Sequence, residues 1–539
     1  MEQIYKWLSD RTHQALLSVL AGGLLFRIVS ACYLYPGFDE AYYYVYTLYP
    51  NLSYFDHPLL VALTTGLGVW LTGAVNQFTI RIGTLGLYTG SLILVYLTGA
   101  RLFSRQAGFL AVVLTSIIPF FVVGFGILTL PDSPLMFFWT AALYVAAIEF
   151  FPQAGLADAP PPYRPSYRLA LLGMLVGLAC LGKYHGFILG VSLIGFCLTS
   201  PRHRIVFWSP WTGASLGLFG LTLAPLVQWN AQHDWISFTF QSARTVPSDR
   251  GFNLLDVLLV FLMYVAYLFP TIGFPLWWAS WKALWSKRLR SVTGELGQKQ
   301  DLLLWISLPL MVGFTLMGGY KQVLPSWPMP GFWSATLLLG HQASIWQQQS
   351  PRGVRRWLRG SAIAACSLAL FGLSHVAFGI VQKPGNYALG GGFWAPKDDP
   401  SVQLLDVVQI RQRFAASPQL MAALEAADFM FTNRYFVGGQ LAMALVPLAH
   451  KPMTTFDTDL RGFAYWSKPD EWVGKDGLYL TTELFQDGED LMQKYGDYFD
   501  TIQKVADVPL QRGGSITAVV TVYQAQHLRK PYPRPYGNS

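Results

Sequence analysis

The segment between residues 36 and 58, PGFDEAYYYVYTLYPNLSYFDHP, concentrates the side chains most able to do chemistry. It holds three carboxylates, Asp39, Glu40 and Asp56, together with His57 and a run of tyrosines. Carboxylates and histidine can exchange protons with a substrate. The tyrosines alone are typical of an aromatic belt at a membrane–water interface. Asp39 fits that interpretation poorly, because a carboxylate at an apolar membrane edge is costly unless it has a partner or a task.

Other polar side chains stand between apolar runs further along the chain. They are Arg81, Asp132 in TLPDSPL, Lys183, Tyr184 and His185 in LGKYHG, His233 and Arg244 in PLVQWNAQHDWISFTFQSAR, and Lys321 and Trp327 in KQVLPSWPMPGFW. Several have a structural alternative. Asp132 could cap the helix that begins at Ser-Pro, and His233 could simply pack its loop. Arg81 and Trp327 could anchor the chain at the lipid headgroups.

The amino-acid composition indicates the class of protein to which these side chains belong. Of the 539 residues 53% are hydrophobic and only 13% are charged, against about 25% charged in a typical soluble domain. The mean hydropathy is +0.34. This is the composition of a polytopic α-helical membrane protein. No basic run is interleaved with aromatic residues in the manner of single-strand binders, so nucleic acid is not an expected partner.

Long apolar runs mark the segments able to cross the hydrocarbon core, which is about 30 Å thick. They lie near residues 15–35, 80–100, 108–130, 133–151, 168–184, 186–200, 205–228, 254–280, 301–319, 327–346 and 360–381. A further run, 58–75, is rich in Gly and Thr and is bordered by polar residues. Lysine and arginine favour cytoplasmic loops. The loops rich in these residues all lie on the cytoplasmic side only if the run 58–75 does not cross the membrane.

We therefore predict about eleven transmembrane helices within residues 1–381, with the N-terminus inside and the C-terminus outside. Residues 58–75 then form a re-entrant or surface helix in a first outer loop at 34–79. This topology brings the acids and bases from Asp39 to Lys321 to the extracytoplasmic face, although they are scattered along the sequence.

Residues 382–539 differ in character. Their net charge is −2, against +10 for residues 1–381. Helical patterns at 402–426, 434–446 and 489–495 alternate with the strand-like segments FMFT (429–432), GLYLTT (477–482) and ITAVVTVY (516–523). We expect a small extracytoplasmic α/β domain. The four cysteines all lie in or beside apolar segments before residue 382, so neither a disulfide framework nor a thiolate zinc site is expected in that domain.

Together these motifs carry a resemblance. The Asp-Glu pair after the first span, FDHP at 55–58, TLPDSPL at 129–135, LGKYHG at 181–186 and the stretches at 225–244 and 321–333 resemble, in order and spacing, the GT-C superfamily of membrane glycosyltransferases. The likeness is greatest to the branch that holds the protein O-mannosyltransferases and the lipid A aminoarabinose transferase. It covers roughly residues 20–335. The resemblance implies that the run 58–75 is a juxtamembrane helix in the first outer loop, in agreement with the distribution of basic loops.

The resemblance implies a GT-C fold and an inverting transfer of a sugar from a polyprenyl-phosphate carrier. Asp39 matches the catalytic acid position, which makes it the expected general base, and Glu40 either orients the acceptor or holds Arg81. Asp56 matches a position at which the aminoarabinose transferase has a glutamate and the loop acids can bind a divalent metal. Asp39 and Asp56 are therefore candidate metal ligands. His57 departs from that enzyme's lysine, so a metal is possible without being required.

The remaining assignments follow from the needs of that reaction. Cations must stabilise the departing lipid phosphate, and the candidates are Lys183, Arg244, Lys321, His57 and Arg81. Asp132, Tyr184, His185, His233 and Trp327 are the expected substrate-binding residues.

The expected acceptor is lipid A, its core or another surface glycan, at the outer face of a bacterial inner membrane. Protein O-glycosylation is the alternative acceptor reaction. A secondary transporter or a lipid-binding scaffold is the alternative of another class. A transporter should place its charges near the midplane in paired repeats, and this sequence has no second half that mirrors the first.

Overall fold

The computed structural model describes residues 11–152, 163–244, 251–288, 294–485 and 491–537. Up to residue 378 the described chain is helical. Its α-helices are α1 (Arg11–Tyr33), α2 (Phe38–Leu48), α3 (Leu60–Thr72), α4 (Ile82–Leu102), α5 (Arg105–Ile117), α6 (Asp132–Phe150), α7 (Arg168–Gly182), α8 (Gly186–Thr199), α9 (Pro210–Gln232), α10 (Ile236–Ala243), α11 (Leu254–Tyr267), α12 (Pro270–Arg288), α13 (Gly294–Met317), α14 (Met329–Gln349) and α15 (Pro351–Phe378).

Six of the described helices are long and apolar enough to cross a membrane, or seven if the bent pair α11 and α12 counts as one span. The chain is therefore a multi-pass membrane protein, as its composition predicts. Helices α5, α7 and α8 are apolar but shorter, with 13, 15 and 14 residues. At 1.5 Å per residue each reaches only about 20 Å, less than the hydrocarbon core.

Two predicted continuous spans are broken. The run 108–130 ends as an α-helix at Ile117, ahead of Pro119, and continues as a π-helical turn at Phe121–Phe125. The run 254–280 is divided into α11 and α12, which meet at an angle of 116°. Pro270 explains this second break, since the residue before a proline is disfavoured in the α conformation. That residue, Phe269, has a φ of 68°.

The first loop contains two helices, the one predicted within 58–75 and a second before it. Helix α2 begins after Gly37, whose backbone N–H donates to Glu40 Oε2 at 3.0 Å and closes a capping box. Helix α3 occupies the centre of the predicted juxtamembrane segment 58–75. Nearly every residue of α2 is buried, so this loop forms part of the protein core.

The C-terminal part contains the small sheet that the sequence predicts. Its helices and strands are α16 (Val407–Ala416), α17 (Pro418–Ala426), β1 (Phe429–Thr432), α18 (Tyr435–Ala449), β2 (Met453–Thr455), β3 (Gly477–Thr482), α19 (Leu491–Tyr495), β4 (Phe499–Arg512) and β5 (Ser515–Leu528). The strand order is β2-β1-β3-β5-β4. Strand β1 is parallel to β2 and β3, whereas β3–β5 and β4–β5 are antiparallel.

Helix α18 packs directly on α2. A Cβ atom added at Gly439 would stand 2.6 Å from the backbone nitrogen of Tyr42, so the two backbones touch. The side chain of Gln440 donates to the carbonyl oxygens of Gln403 and Pro36, at 3.0 and 3.4 Å. Buried apolar residues of α2, α16, α18 and the sheet form one shared hydrophobic cluster. The sheet part is thus fixed on the first loop.

Gly439→Ala is expected to lower the melting temperature in detergent, because its methyl group must push α18 away from α2. Overpacking of this kind costs about 1–3 kcal/mol. Gly372→Ala in α15 is the matched control, since an added Cβ meets nothing within 4 Å there. Equal melting temperatures for the two variants would contradict the close packing of α2 and α18.

Candidate active site

A cavity of about 460 Å³ lies where α2, the helix ends around Asp132 and Lys183, and α10 meet. Eight of the side chains predicted from the sequence line it. They are Asp39, His57, Asp132, Lys183, Tyr184, His185, Arg244 and Trp327. The fold therefore brings acids, bases and aromatic rings to the wall of one cavity, although they are spread over nearly 300 positions of the sequence.

Asp39 is the second residue of α2 and its side chain is open to the cavity. The side chain is accessible to solvent in the cavity, although protein atoms surround the carboxylate closely. Burial consequently raises the pKa of Asp39 above its ordinary value, and the positive charge of Arg461 partly opposes this rise. A carboxylate with a raised pKa is a stronger base than an ordinary one.

Asp132 and Lys183 form a buried ion pair on the cavity wall. Lys183 Nζ lies 2.9 and 2.8 Å from the two carboxylate oxygens of Asp132. Asp132 is the first residue of α6, after the N-cap residue Pro131, and both of its carboxylate oxygens accept hydrogen bonds from Lys183. The carboxylate fixes the position of the ammonium group.

Arg244 approaches the cavity from the end of α10, with its guanidinium carbon 5.4 Å from the ring centroid of Phe240. No carboxylate among the described residues pairs with it. Lys321 donates a hydrogen bond to the backbone carbonyl of Arg244 and lines a neighbouring cavity, not this one. The two predicted cations are therefore adjacent, but only Arg244 lines the main cavity.

Glu40 and Arg81 form a second buried pair, outside the cavity lining. Arg81 Nε and Nη2 donate to the two Glu40 oxygens at 2.8 and 2.6 Å, and Arg81 is 0% exposed. The Thr129 backbone N–H also donates to Glu40, at 2.9 Å. Of the roles expected for Glu40, the geometry therefore favours holding Arg81. The pair joins the start of α2 to α4 and to the loop before α6.

Asp56 also lies behind the cavity surface and is fully buried. Its Oδ1 accepts hydrogen bonds from the hydroxyl groups of Tyr46 and Tyr42, and its Oδ2 lies 3.0 Å from Nη1 of Arg461. Burial disfavours the charged carboxylate, yet Arg461 and Tyr46 hold the pKa of Asp56 below its ordinary value. Asp56 is therefore an anion whose partners are supplied by the protein.

These contacts do not fit a metal ion at Asp39 and Asp56. No three His, Cys, Asp or Glu side chains in the described part of the chain are grouped so that they could hold one. The oxygens of Asp56 already have partners, and the guanidinium of Arg461 occupies the direction from which a cation would approach.

His57 lines the cavity but cannot act there as a cation. Burial lowers its pKa to about 3, so the ring is neutral at physiological pH and offers a phosphate a hydrogen bond without a charge. His57 Nδ1 and His185 Nε2 are buried and have no hydrogen-bond partner within the described residues. Unpaired buried polar atoms are rare in folded proteins.

The two aromatic candidates differ in position. The Trp327 ring lines the cavity and packs on Phe314 with 5.5 Å between ring centroids. His233 is stacked on Trp229 at 4.0 Å and its Nδ1 contacts the Trp229 carbonyl, outside the cavity lining. For His233 the geometry favours the loop-packing alternative.

Six further polar or aromatic side chains line the cavity without having been predicted from the sequence. They are Tyr43, Gln241, Phe314, Ser326, Tyr435 and Arg461. Tyr435 and Arg461 come from the C-terminal part, which the sequence places in a separate domain. No local pattern around either residue signals a role, because their positions depend on how the sheet part docks on α2.

Known proteins share parts of this sequence and its fold. Residues 56–229 match the family described as dolichyl-phosphate-mannose-protein mannosyltransferase. The chain is 24% identical over 365 residues to the lipid A galacturonosyltransferase RgtD of Rhizobium johnstonii, a match that covers 65% of this chain and 69% of that protein. The resemblance to the GT-C membrane glycosyltransferases is confirmed. So is the prediction that the chain is a glycosyltransferase.

The fold is shared with ArnT from Cupriavidus metallidurans. The apo structure of that protein superimposes with a TM-score of 0.63 at 13% identity, covering 94% of this chain and 97% of ArnT. The structure of the same protein bound to undecaprenyl phosphate gives a TM-score of 0.60 at 14% identity, with 95% and 98% covered.

Glu40→Gln is expected to destabilise the protein by about 3–5 kcal/mol, because it leaves the buried charge of Arg81 without its counter-ion. Thermal unfolding in detergent measures the loss. Asp507→Asn is the matched control, since Asp507 pairs with Lys504 on an exposed hairpin, where a pair contributes about 1 kcal/mol or less. A Glu40→Gln protein as stable as the control would contradict a structural role for the pair.

Proposed function

We propose that this protein is an inverting glycosyltransferase that moves a sugar from a polyprenyl-phosphate carrier to a lipid acceptor. The observation that carries the proposal is the composition of one cavity. Its lining joins a carboxylate of raised pKa, Asp39, to the cations Lys183 and Arg244 and to the imidazole rings of His57 and His185. A displacement at a sugar carbon needs this combination of a base for the acceptor and a positive environment for a leaving phosphate.

In the proposed reaction Asp39 removes the proton from an acceptor hydroxyl group. The resulting oxygen attacks the anomeric carbon from the face opposite the phosphate, and the bond between that carbon and the phosphate oxygen breaks. The electron pair stays on the phosphate, which leaves as polyprenyl phosphate with one more negative charge than it had in the donor. Lys183 and Arg244 stabilise that charge, and Asp132 keeps Lys183 in place.

The donor and the acceptor are inferred from the relatives. A protein with the same fold binds undecaprenyl phosphate, and the curated relative is a lipid A galacturonosyltransferase. We therefore propose undecaprenyl phosphate as the carrier and lipid A or its core as the acceptor. The family matched by residues 56–229 is named for transfer to protein, which makes protein O-glycosylation the second candidate.

The proposed membrane arrangement is the one predicted from the sequence, with eleven spans, the N-terminus in the cytoplasm and the cavity at the outer face of a bacterial inner membrane. The distribution of lysine and arginine between the loops supports it. The short helices α5, α7 and α8 would then cross together with the breaks and turns that adjoin them. Residues 382–539 lie outside in this arrangement.

Asp39→Asn is expected to fold, to keep its donor lipid and to lose transfer by a factor of about 10² or more, as for removal of a general base. Mass spectrometry of lipids that co-purify with the wild-type and variant proteins reports the donor and the mass of its sugar. Asp500→Asn, on an exposed hairpin, is the matched control and should retain transfer. Folded protein that retains no polyprenyl phosphate in either form would contradict the proposal.

The pH dependence of transfer offers a second test. Because Asp39 must be ionised to act as a base, kcat/KM should fall as the pH drops through its pKa. Burial raises that pKa, so the acidic limb should lie above the value of about 3.9 that is typical of an aspartate. Residual transfer by Asp39→Asn should lack this limb. If the variant shows the same acidic limb of kcat/KM, the group that titrates there is not Asp39.

A further inference from the structure

The C-terminal part contributes a guanidinium group to the cavity, and the proposed reaction does not yet use it. Arg461 lines the cavity wall together with Lys183 and Arg244, and its side chain is 17% exposed. Its guanidinium carbon lies 4.0 Å from the ring centroid of Tyr435 and 5.5 Å from that of Phe240. Arginine stacked on aromatic rings keeps its charge and its edge donors available.

The hydrogen bonds of Arg461 hold one side of the group. Nη1 donates to Asp56 at 3.0 Å, and Nε reaches Asp459 only at 3.4 Å. No partner for Nη2 is found among the described residues. A guanidinium has five N–H donors, so Nη2 retains donors that can bind a ligand oxygen.

The backbone at Arg461 is constrained to present the side chain in this way. Its φ of 46° lies in the left-handed region, which is unfavourable for a residue with a Cβ atom. Two hydrogen bonds at 2.8 Å hold the turn, from the Arg461 N–H to the Tyr536 hydroxyl and from the Gly462 N–H to the Tyr42 hydroxyl. Tyr42 belongs to α2, so the turn is tied to the helix that carries Asp39.

Asp56 provides the fixed anchor. It is completely buried, and a carboxylate in that position would be strongly destabilising without a cation. Its Oδ1 is held by tyrosines of α2 while Oδ2 faces Arg461. Asp56 is therefore held in place by α2, and its Oδ2 in turn holds Nη1 of the Arg461 guanidinium.

We propose that Arg461 is a phosphate-binding residue of the active site, contributed by the C-terminal part and positioned by Asp56. This inference rests on the proposed function, because it takes the lipid phosphate as the ligand. The planar guanidinium accommodates two phosphate oxygens better than an ammonium does. Together with Lys183 and Arg244 it surrounds the charge that develops as the sugar leaves. The C-terminal part is then a component of the active site.

The test compares binding of undecaprenyl phosphate and of undecaprenol to the full-length protein in detergent. The ratio of the two affinities isolates recognition of the phosphate from recognition of the lipid chain. Wild-type protein should prefer the phosphorylated lipid. Arg461→Met should reduce that preference by about tenfold or more, the loss expected for a charge-assisted hydrogen bond. Asp56→Asn should reduce it by a smaller factor, because Arg461 loses its anchor.

Arg529→Met is the matched control. Arg529 lies in the same C-terminal part but pairs with Asp500 on an exposed surface, so the preference should remain that of the wild type. If Arg461→Met does not fold, Arg461→Gln is judged by the same ratio, since it keeps a polar group for Asp56.

The outcomes separate the two proposals. A wild-type protein without a preference for the phosphorylated lipid would overturn the proposed function and, with it, the role of Arg461. A wild-type preference that persists in the Arg461 variants would leave the function standing and overturn the phosphate role. Equal weakening of both lipids would show that Arg461 only joins the two parts of the chain, and would also overturn the proposal.

Discussion

The ion pair between Asp56 and Arg461 joins two residues that are 405 positions apart, and the wall of the cavity depends on it. Asp56 is fully buried, so its charge must be compensated by a group that the local sequence does not provide. The compensating cation comes from the C-terminal part, on a turn that is also bonded to α2. The need to neutralise one buried carboxylate thus fixes the sheet part over the first loop and brings Tyr435 and Arg461 to the cavity.

The three carboxylates of the first loop show how environment separates roles among similar side chains. Glu40 accepts hydrogen bonds from Arg81 and from two backbone N–H groups, which makes it a structural anion. Asp56 is held by two tyrosines and Arg461. Asp39 faces the cavity and has its pKa raised by burial. Glu40 and Asp56 hold α2 in position through their buried contacts. Asp39 remains available for a substrate.

The cavity forms where helices end. Asp39 stands in the first turn of α2, Asp132 is the first residue of α6, Lys183 follows the last residue of α7, and His185 precedes α8. Helix ends leave backbone polar groups without intrahelical partners, so they are tolerated in an apolar bundle only where other polar groups or water meet them. The same short and broken helices that complicate the count of spans therefore produce the polar end of the bundle.

The membrane class, the C-terminal sheet and most of the cavity lining follow from the sequence alone. FMFT and GLYLTT are strands with the predicted bounds, because short runs of apolar residues and threonine favour strands as a local property. Asp39, Asp132 and Lys183 could be predicted because a charged side chain beside an apolar segment is costly unless it is paired or functional. The short strand β2 and the exposed strand β4 carry weaker patterns and were not foreseen.

Which charges pair and which remain available depends on contacts that form only in the folded protein. The sequence could not place Glu40 and Arg81 outside the cavity, assign Asp56 to Arg461, or show that His57 is neutral, because each depends on burial and on partners distant in the chain. Arg461 is the clearest case. A lone arginine in a polar segment does not indicate a binding role in the sequence. Arg461 reaches the cavity because the C-terminal part docks on the first loop, where Gly439 of α18 allows the backbones of α18 and α2 to touch at Tyr42.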